Sequence, residues 1–410
     1  MSKKVGFKGF GDMPRVTVSQ GSMSFNATGS WRYLRPVYSE KLAPCRHLCP
    51  AGTDIPKVLA LIAQEKFEEA YQLIWETNPL PAVCGRVCYH PCESSCSRSG
   101  IDAGVSVQAL ERFVSELCLD LQPALPKAKD SGKTAAIVGS GPAGLSCAAF
   151  LARNGVRATV FEAEERPGGM LQIGIPKYRL PRRILDRELE KIARLGVAFE
   201  CNCKVGKDLS FDSLRQAYDA VFVATGAHSS RVPPPLEDSK DLVMTGLEFL
   251  KATNLSTPPE IGKNVVVVGG GNTAMDAART AVRLGAEPVV LYRRSREEMP
   301  ASDEEVREAE EEGVNFVFLA SPTALQRNSR GVEIEFQEMV LGPPDGSGRR
   351  RPVPVNGSFF SLEADTVILA IGEDADLSLL SSHEDDPGVF VGGDVRTGSS
   401  TVPEAIAAGR

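Results

Sequence analysis

Apolar residues recur along this chain in two matching blocks. In the first, the run Ala135–Val138 ends at Gly139-x-Gly141-x-x-Gly144, Pro142 and Ala143 open a stretch with helical apolar spacing, and a second short run closes on Glu162. In the second, Val265–Val268 ends at Gly269-x-Gly271-x-x-Ala274, Asn272 and Thr273 open an amphipathic stretch, and a second run ends at Tyr292. Each block predicts strand, tight turn, helix and parallel strand. Upstream, the three- and four-residue period of Ile55–Gln64, Phe67–Glu76 and Val105–Leu119 predicts short amphipathic helices. Downstream, Glu304–Glu312 reads as a solvated helix face and Phe316–Phe360 as short strands with a turn at Pro343–Gly346. The apolar runs within 364–372 and 388–400 are expected to return the chain to the first block. The predicted class is α/β: two Rossmann-like dinucleotide-binding domains, the second inserted in the first, preceded by an all-α domain. The expected boundaries are an arm at 1–40, a helical domain at 41–126, the first nucleotide domain at 133–258 and 363–410, and the second at 262–362.

The residue types of the repeated block carry chemistry. Gly139 permits the tight turn, Gly141 lets backbone N–H groups reach a pyrophosphate, and Gly144 lets helix and strand approach. Glu162 is then placed to accept from a ribose hydroxyl. A single glycine fingerprint also arises for structural reasons alone, but here it has company. Gly168 and Gly169 follow the acid, Thr225-Gly226 ends a later strand, and Gly393-Asp394 follows a third. That order is the one found in flavin enzymes with two dinucleotide sites, so the first block is expected to hold FAD and the second NAD(P)(H). The count that reaches Glu162 in the first block reaches Tyr292 in the second, followed by Arg293, Arg294 and Arg296. Loss of the acid and gain of guanidinium groups lean towards a ribose 2′-phosphate. The competing reading pairs these arginines with the acidic run Asp303–Glu312 on the surface.

Composition narrows the class. The chain has 410 residues and a formal net charge of −7, which gives nucleic acid or an anionic membrane no bulk electrostatic attraction. No apolar run approaches the roughly 18–20 residues of a membrane span, and the N-terminus lacks the apolar core of a secretion signal. A cytoplasmic location is expected. Residues 1–40 are polar and glycine-rich with scattered aromatics such as Phe7 and Trp31, and read either as a flexible arm or as one that docks on a partner subunit.

Of ten cysteines, Cys45, Cys49, Cys84, Cys88, Cys92 and Cys96 cluster in the helical segment. Thiolates at this density call for a soft metal. Three-residue gaps and the proline after Cys49 favour an iron–sulfur cluster over zinc, whose knuckles use shorter gaps; a metal-free scaffold is the remaining reading. Cys201 and Cys203 alternate on one face of an expected strand and read as core packing, with a redox role as the other reading; no Cys-x-x-Cys lies in the second nucleotide block, against a dithiol mechanism.

The segments CPAGTDIP (49–56), NPLPAVCGRVCYHPCESSC (78–96) and GIDAGVSVQALERF (100–113) resemble the N-terminal part of the glutamate synthase small-subunit family and of dihydropyrimidine dehydrogenase. The resemblance covers about 41–410. It implies a [4Fe–4S] domain beside the FAD domain, with Cys49, Cys88, Cys92 and Cys96 matching the ligands of one cluster. A second cluster lacks its upstream cysteines, leaving Cys45 and Cys84 as packing residues or alternative ligands. It also implies that the loop at 174–181 passes near the flavin and that Asp394 bonds a ribityl hydroxyl.

The four histidines are scattered, and no pair of carboxylates or Ser–His–Asp set suggests acid–base work on a substrate. No catalytic side chain is assigned. The expected activity is cofactor-borne electron transfer: hydride exchange between NAD(P)(H) and FAD, with electrons passed through the cluster to or from a partner subunit docked on the helical domain. Aldehyde- or formate-oxidising metalloenzymes are family-level candidates for that partner. The alternatives are a glutamate synthase small subunit and a non-catalytic, nucleotide-binding docking subunit.

Overall fold

The computed structural model describes residues 42–410 except positions 381, 382, 384 and 385; the N-terminal arm lies outside the described residues. Short helices come first: α1 (Pro44–Leu48), α2 (Ile55–Ile62), α3 (Phe67–Trp75), α4 (Pro81–Val87), α5 (Pro91–Ser94) and α6 (Val107–Leu117). Local chemistry sets their starts. Asp54 caps α2, and prolines open α2, α4 and α5, where a missing N–H costs nothing. Their apolar faces meet at the fully buried Tyr71, Trp75, Leu80 and Val114, and the same core continues into Ile137, Leu145 and Ile184 of the next segment. Helical segment and first nucleotide unit therefore share one core.

That unit runs through β1 (Thr134–Val138), α7 (Pro142–Arg153), β2 (Arg157–Phe161), α8 (Met170–Ile173), α9 (Arg182–Arg194), β3 (Ala198–Glu200), α10 (Phe211–Ala217) and β4 (Ala220–Val223). The chain then leaves through β5 (Ser229–Ser230). The second unit holds β6 (Met244–Thr245), α11 (Gly246–Asn254), β7 (Asn264–Val268), α12 (Asn272–Arg283), β8 (Glu287–Tyr292), α13 (Asp303–Glu311) and β9 (Asn315–Phe318). An antiparallel ribbon follows, β10 (Ala320–Asn328), β11 (Gly331–Pro344) and β12 (Arg350–Ala364), before β13 (Thr366–Leu369) rejoins the second sheet. The chain returns through β14 (Glu373–Asp374), paired antiparallel with β5, to β15 (Val389–Val391), α14 (Asp394–Thr397) and α15 (Val402–Ala408).

Both five-stranded sheets are parallel, ordered β15-β4-β1-β2-β3 and β6-β13-β7-β8-β9. In each, the strand before the glycine turn is central, so its C-terminal end opens at the crevice where such sheets bind ligands. Two expectations change. β6 and β13 belong to the second sheet, because β13 bonds β7 and β6 along their lengths; the crossing between units therefore lies at the β5–β14 pair, not near 258–262 and 363. The ribbon strands are 14 and 15 residues long rather than short. Register shifts at Gln337/Met339 and Leu341/Pro344 interrupt the two-residue alternation that would have revealed their length.

Candidate cofactor cleft and cysteine cavity

At the end of β1, Gly139 has φ +101°, and a Cβ there would lie 2.4 Å from the Ala224 carbonyl oxygen. A Cβ on Gly144 would sit 1.9 Å from the Gly139 oxygen, so helix α7 approaches the strand only because that atom is missing. Gly141 differs: nothing lies within 4 Å of its missing side chain, which leaves bare backbone N–H groups at the start of α7 open to the cleft. Glu162 is 6% exposed. Its Oε2 accepts from Ser140 N at 3.1 Å and from the Ser140 hydroxyl, and its Oε1 accepts from Glu164 N at 2.9 Å. The Ser140 hydroxyl accepts in turn from Gly168 N at 2.8 Å, and Gly169, at φ +52°, closes against Gly141. Thus the acid both faces the cleft and ties the glycine turn to the Gly168-Gly169 loop.

The second turn repeats the first. Gly269 has φ +148°, with its absent Cβ 2.1 Å from the Ala370 oxygen, and a Cβ on Gly271 would meet nothing nearer than Pro300 at 3.9 Å. The register confirms the equivalence of Glu162 and Tyr292: Val138 pairs with Phe161, and Val268 with Leu291. The Tyr292 ring occupies the space a Cβ on Gly270 would fill, 2.4 Å away, and its hydroxyl donates to the Glu298 oxygen at 2.8 Å. The three arginines separate. Arg294 is buried and donates to Asp345 at 2.5 Å and to the Arg350 carbonyl at 2.8 Å. Arg296 pairs with Glu310, as the surface reading expected. Arg293 is exposed on the cleft wall and has no side-chain hydrogen bond or ion pair among the described residues.

Both turns face one cleft of about 1960 Å³. A single small-molecule site typically measures roughly 300–1,000 Å³, so this cleft has room for two dinucleotides. Of the expected nucleotide residues it brings together Gly139, Gly141, Pro142, Ala143, Glu162, Gly169, Thr225, Gly226, Gly269, Gly271, Asn272, Thr273, Arg293, Arg294, Gly393 and Asp394. Gly144 and Ala274 lie beneath it at the helix–strand contacts, and Gly168 lies behind the turn. The open N–H groups and the placement of Glu162 fit FAD on the first turn and NAD(P)(H) on the second.

Sequence reasoning missed several residues. Arg179, on the irregular loop before α9, donates to Asp276 of α12 at 2.7 Å, pairs with Glu305 of α13 at 2.8 Å, and reaches the Tyr89 hydroxyl at 3.4 Å. Burial, offset in part by Arg179, pushes Asp276 up to about 6. Arg349, at the tip of the ribbon, lines the cleft beside Arg293. Neither has a local motif; their partners are set by tertiary packing alone.

A second cavity, about 40 Å³, is lined by Cys49, Cys84, Cys88 and Cys92, with Asn78, Gln108 and Glu111 around them. Among the described residues no three His, Cys, Asp or Glu side chains are set to hold a single metal ion. Burial and the neighbouring thiolates and carboxylates push Cys88 and Cys92 up to about 12 and raise Cys84 well above the usual thiol value. Such thiols become thiolates when a metal cluster supplies the opposing charge, and this donor set fits one. Cys96 and Cys45 lie outside the cavity; Cys96 accepts from backbone N–H groups, which lower its pKa. The two cavities share a wall, with Thr401, Val402 and Ala405 lining the cleft and Pro403 the cysteine cavity.

Residues 133–409 match the family model "pyridine nucleotide-disulphide oxidoreductase", and residues 38–122 match "dihydropyrimidine dehydrogenase domain II, 4Fe-4S cluster". The chain is 46% identical over 352 residues to the NADPH-Fe(3+) oxidoreductase subunit beta of Geobacter sulfurreducens, covering 83% of this chain and 52% of that one. It is 45% identical over 412 residues to the NADP(+)-dependent formate dehydrogenase subunit beta of Moorella thermoacetica (90% and 58%). With the glutamate synthase [NADPH] small chain of Escherichia coli it shares 37% over 407 residues (89% and 86%). The chain thus spans little more than half the length of the first two relatives. Among solved structures, Mycobacterium tuberculosis FprA in complex with NADPH superposes with a TM-score of 0.57 at 21% identity, covering 68% of this chain and 82% of that one, a likeness of fold.

Proposed function

The chain belongs to the pyridine nucleotide-disulphide oxidoreductase family, joined to a 4Fe-4S domain of the dihydropyrimidine dehydrogenase type, and from that premise we propose that it is the NADP(H)-handling electron-transfer subunit of a larger redox complex. One observation carries the reading: two dinucleotide turns face a single cleft, and a four-cysteine cavity lies across one helix from it. FAD supplies the chemistry that joins these sites, exchanging hydride with a nicotinamide and single electrons with an iron–sulfur cluster. The protein positions and tunes. The open backbone N–H groups of Gly141 and of the first turn of α7 would hold the FAD pyrophosphate, Glu162 would accept from its ribose, and Asp394 from its ribityl chain. The second turn, at Gly269–Ala274, holds the nicotinamide dinucleotide, with Arg293 at its ribose. Cys49, Cys88 and Cys92 are the cluster ligands on which cavity and resemblance agree; Cys84 supplies the fourth thiol of the cavity, while Cys96 stands outside it.

A partner subunit docking on the helical segment is supported by its exposed apolar residues Ile101, Phe113 and Leu117, and by relatives that are themselves named beta subunits. No helix among the described residues is long and apolar enough to cross a membrane, and ten free cysteines suit the reducing cytoplasm. A glutamate synthase small chain is the second reading, favoured by the 86% coverage of that relative. The test is an anaerobic titration of the purified protein with NADPH and with NADH, read by visible absorbance and low-temperature EPR. Flavin bleaching followed by a reduced-cluster signal, with NADPH the better donor, is expected. Protein that carries flavin but bleaches with neither donor would show the chain to be a docking subunit.

A further inference from the structure

Resting on the NADP(H) reading, we propose that the ribbon tip supplies a second guanidinium, Arg349, which closes with Arg293 on the ribose 2′-phosphate and sets the preference for NADP(H) over NAD(H). Arg293 follows directly on β8, one residue past the position where the first unit carries its ribose-binding acid. Arg349 comes from the turn between β11 and β12 and lines the same cleft, near enough for its charge to act on Arg293.

The turn is built to hold it there. Asp345 Oδ1 accepts from Ser347 N at 2.9 Å and from the Ser347 hydroxyl at 2.5 Å, while Asp345 N donates to the Arg349 oxygen at 2.8 Å. The buried Arg294 clasps this turn from the other side, through Asp345 and the Arg350 carbonyl, and Arg350 N donates to Glu298 at 2.8 Å. Arg294 is therefore a positioning residue: its charge is spent on the hairpin, not on the ligand. The Arg349 side chain makes one hydrogen bond among the described residues, from Nε to the Ser347 hydroxyl at 3.1 Å, which leaves its terminal nitrogens unbonded on a residue that lines the cleft. Arg293 has no side-chain hydrogen bond or ion pair among the described residues, although the Asp345 charge reaches it. Partial desolvation, then the neighbouring charges of Arg294 and Arg349, lower its pKa. The one carboxylate whose charge reaches both guanidinium groups, Asp345, is engaged by Arg294 and Ser347, so the donors of Arg293 and the terminal nitrogens of Arg349 stay available to an anion, and they suit a phosphate.

Calorimetric binding of adenosine 2′,5′-bisphosphate and of 5′-AMP to the full-length, flavin-loaded protein tests this without turnover. Wild type is expected to prefer the bisphosphate. In R349Q the bisphosphate should lose about tenfold or more in affinity while 5′-AMP stays within about twofold. R349K should recover part of the loss through charge alone. Unchanged melting temperature and flavin spectrum verify the fold, and R349M, which keeps the aliphatic stem, carries the same test should R349Q prove unstable. A wild-type preference that survives in R349Q overturns the role of Arg349 and leaves the NADP(H) reading standing; a wild type with no preference overturns that reading itself, and the inference with it.

Discussion

Glu188 illustrates what a single side chain contributes beyond chemistry. It is fully buried on α9, its Oε1 accepts from Lys191 at 3.1 Å, and its Oε2 has no partner; Lys191 also bonds the Tyr71 hydroxyl. Burial, opposed in part by Lys191, pushes its pKa from 4.5 up to about 7. A carboxyl raised in the native state binds more protons there than in the unfolded chain, so stability is fully present below the unfolded value and falls as pH rises through about 7. That rise corresponds to on the order of 3 kcal/mol. Glu111, buried and likewise raised to about 7, acts in the same direction. Urea unfolding at pH 5 and 7.5 should therefore show lower stability at the higher pH, and E188Q should remove part of the difference, the rest coming from Glu111 and Asp276; an unchanged slope in E188Q would mean that Glu188 is ionised throughout. Such a residue is invisible to sequence reading, because its partners Lys191 and Tyr71 lie 120 positions apart. The place of Glu162 was legible for the opposite reason: it bonds the glycine turn of its own strand–turn–helix unit.

Among elements, the two nucleotide turns are near-copies with one informative difference. The helix–strand contact is filled by nothing at Gly144 but by a methyl group at Ala274. A methyl at 144 would sit 1.9 Å from the Gly139 oxygen, an overlap that only a shift of α7 can relieve. G144A is expected to cost about 1–3 kcal/mol and to lower flavin occupancy, measured as the ratio of visible to ultraviolet absorbance. The converse change, A274G, should cost about 1 kcal/mol and leave the flavin in place. If G144A retained full flavin, α7 would not be the element that holds it. Strand, turn and helix were legible here because every step is local in sequence. The ribbon was not: its bulges hide the alternation, and its tip acquires a role only by folding back on β8. The strands β6 and β13 were assigned to the wrong sheet for the same reason, since hydrogen-bond partners across a sheet leave no mark in a single sequence.

At the scale of the whole molecule, Arg179 joins three regions: its own loop in the first unit, Asp276 and Glu305 in the second, and Tyr89 in the helical segment. Asp276 and Glu305 are 5% and 8% exposed, so losing Arg179 leaves carboxylates buried with less compensation. R179M is expected to lower stability by about 3–5 kcal/mol, seen in thermal or urea unfolding; a loss below about 1 kcal/mol would place that ion pair among those that solvent screens. The two-unit plan, its order and the cysteine-rich segment were all readable from repeated patterns, whereas the join between units was not, because it is made by side chains from three distant stretches. The short helix α15 has a different consequence. Ala405 and Pro403, two positions apart on it, face the cleft and the cysteine cavity respectively, so the two are separated by about one helix diameter, roughly 10 Å. On the proposed reading electrons cross between the two sites through this one packed helix, with no moving segment between them, so their throughput should be indifferent to solvent viscosity.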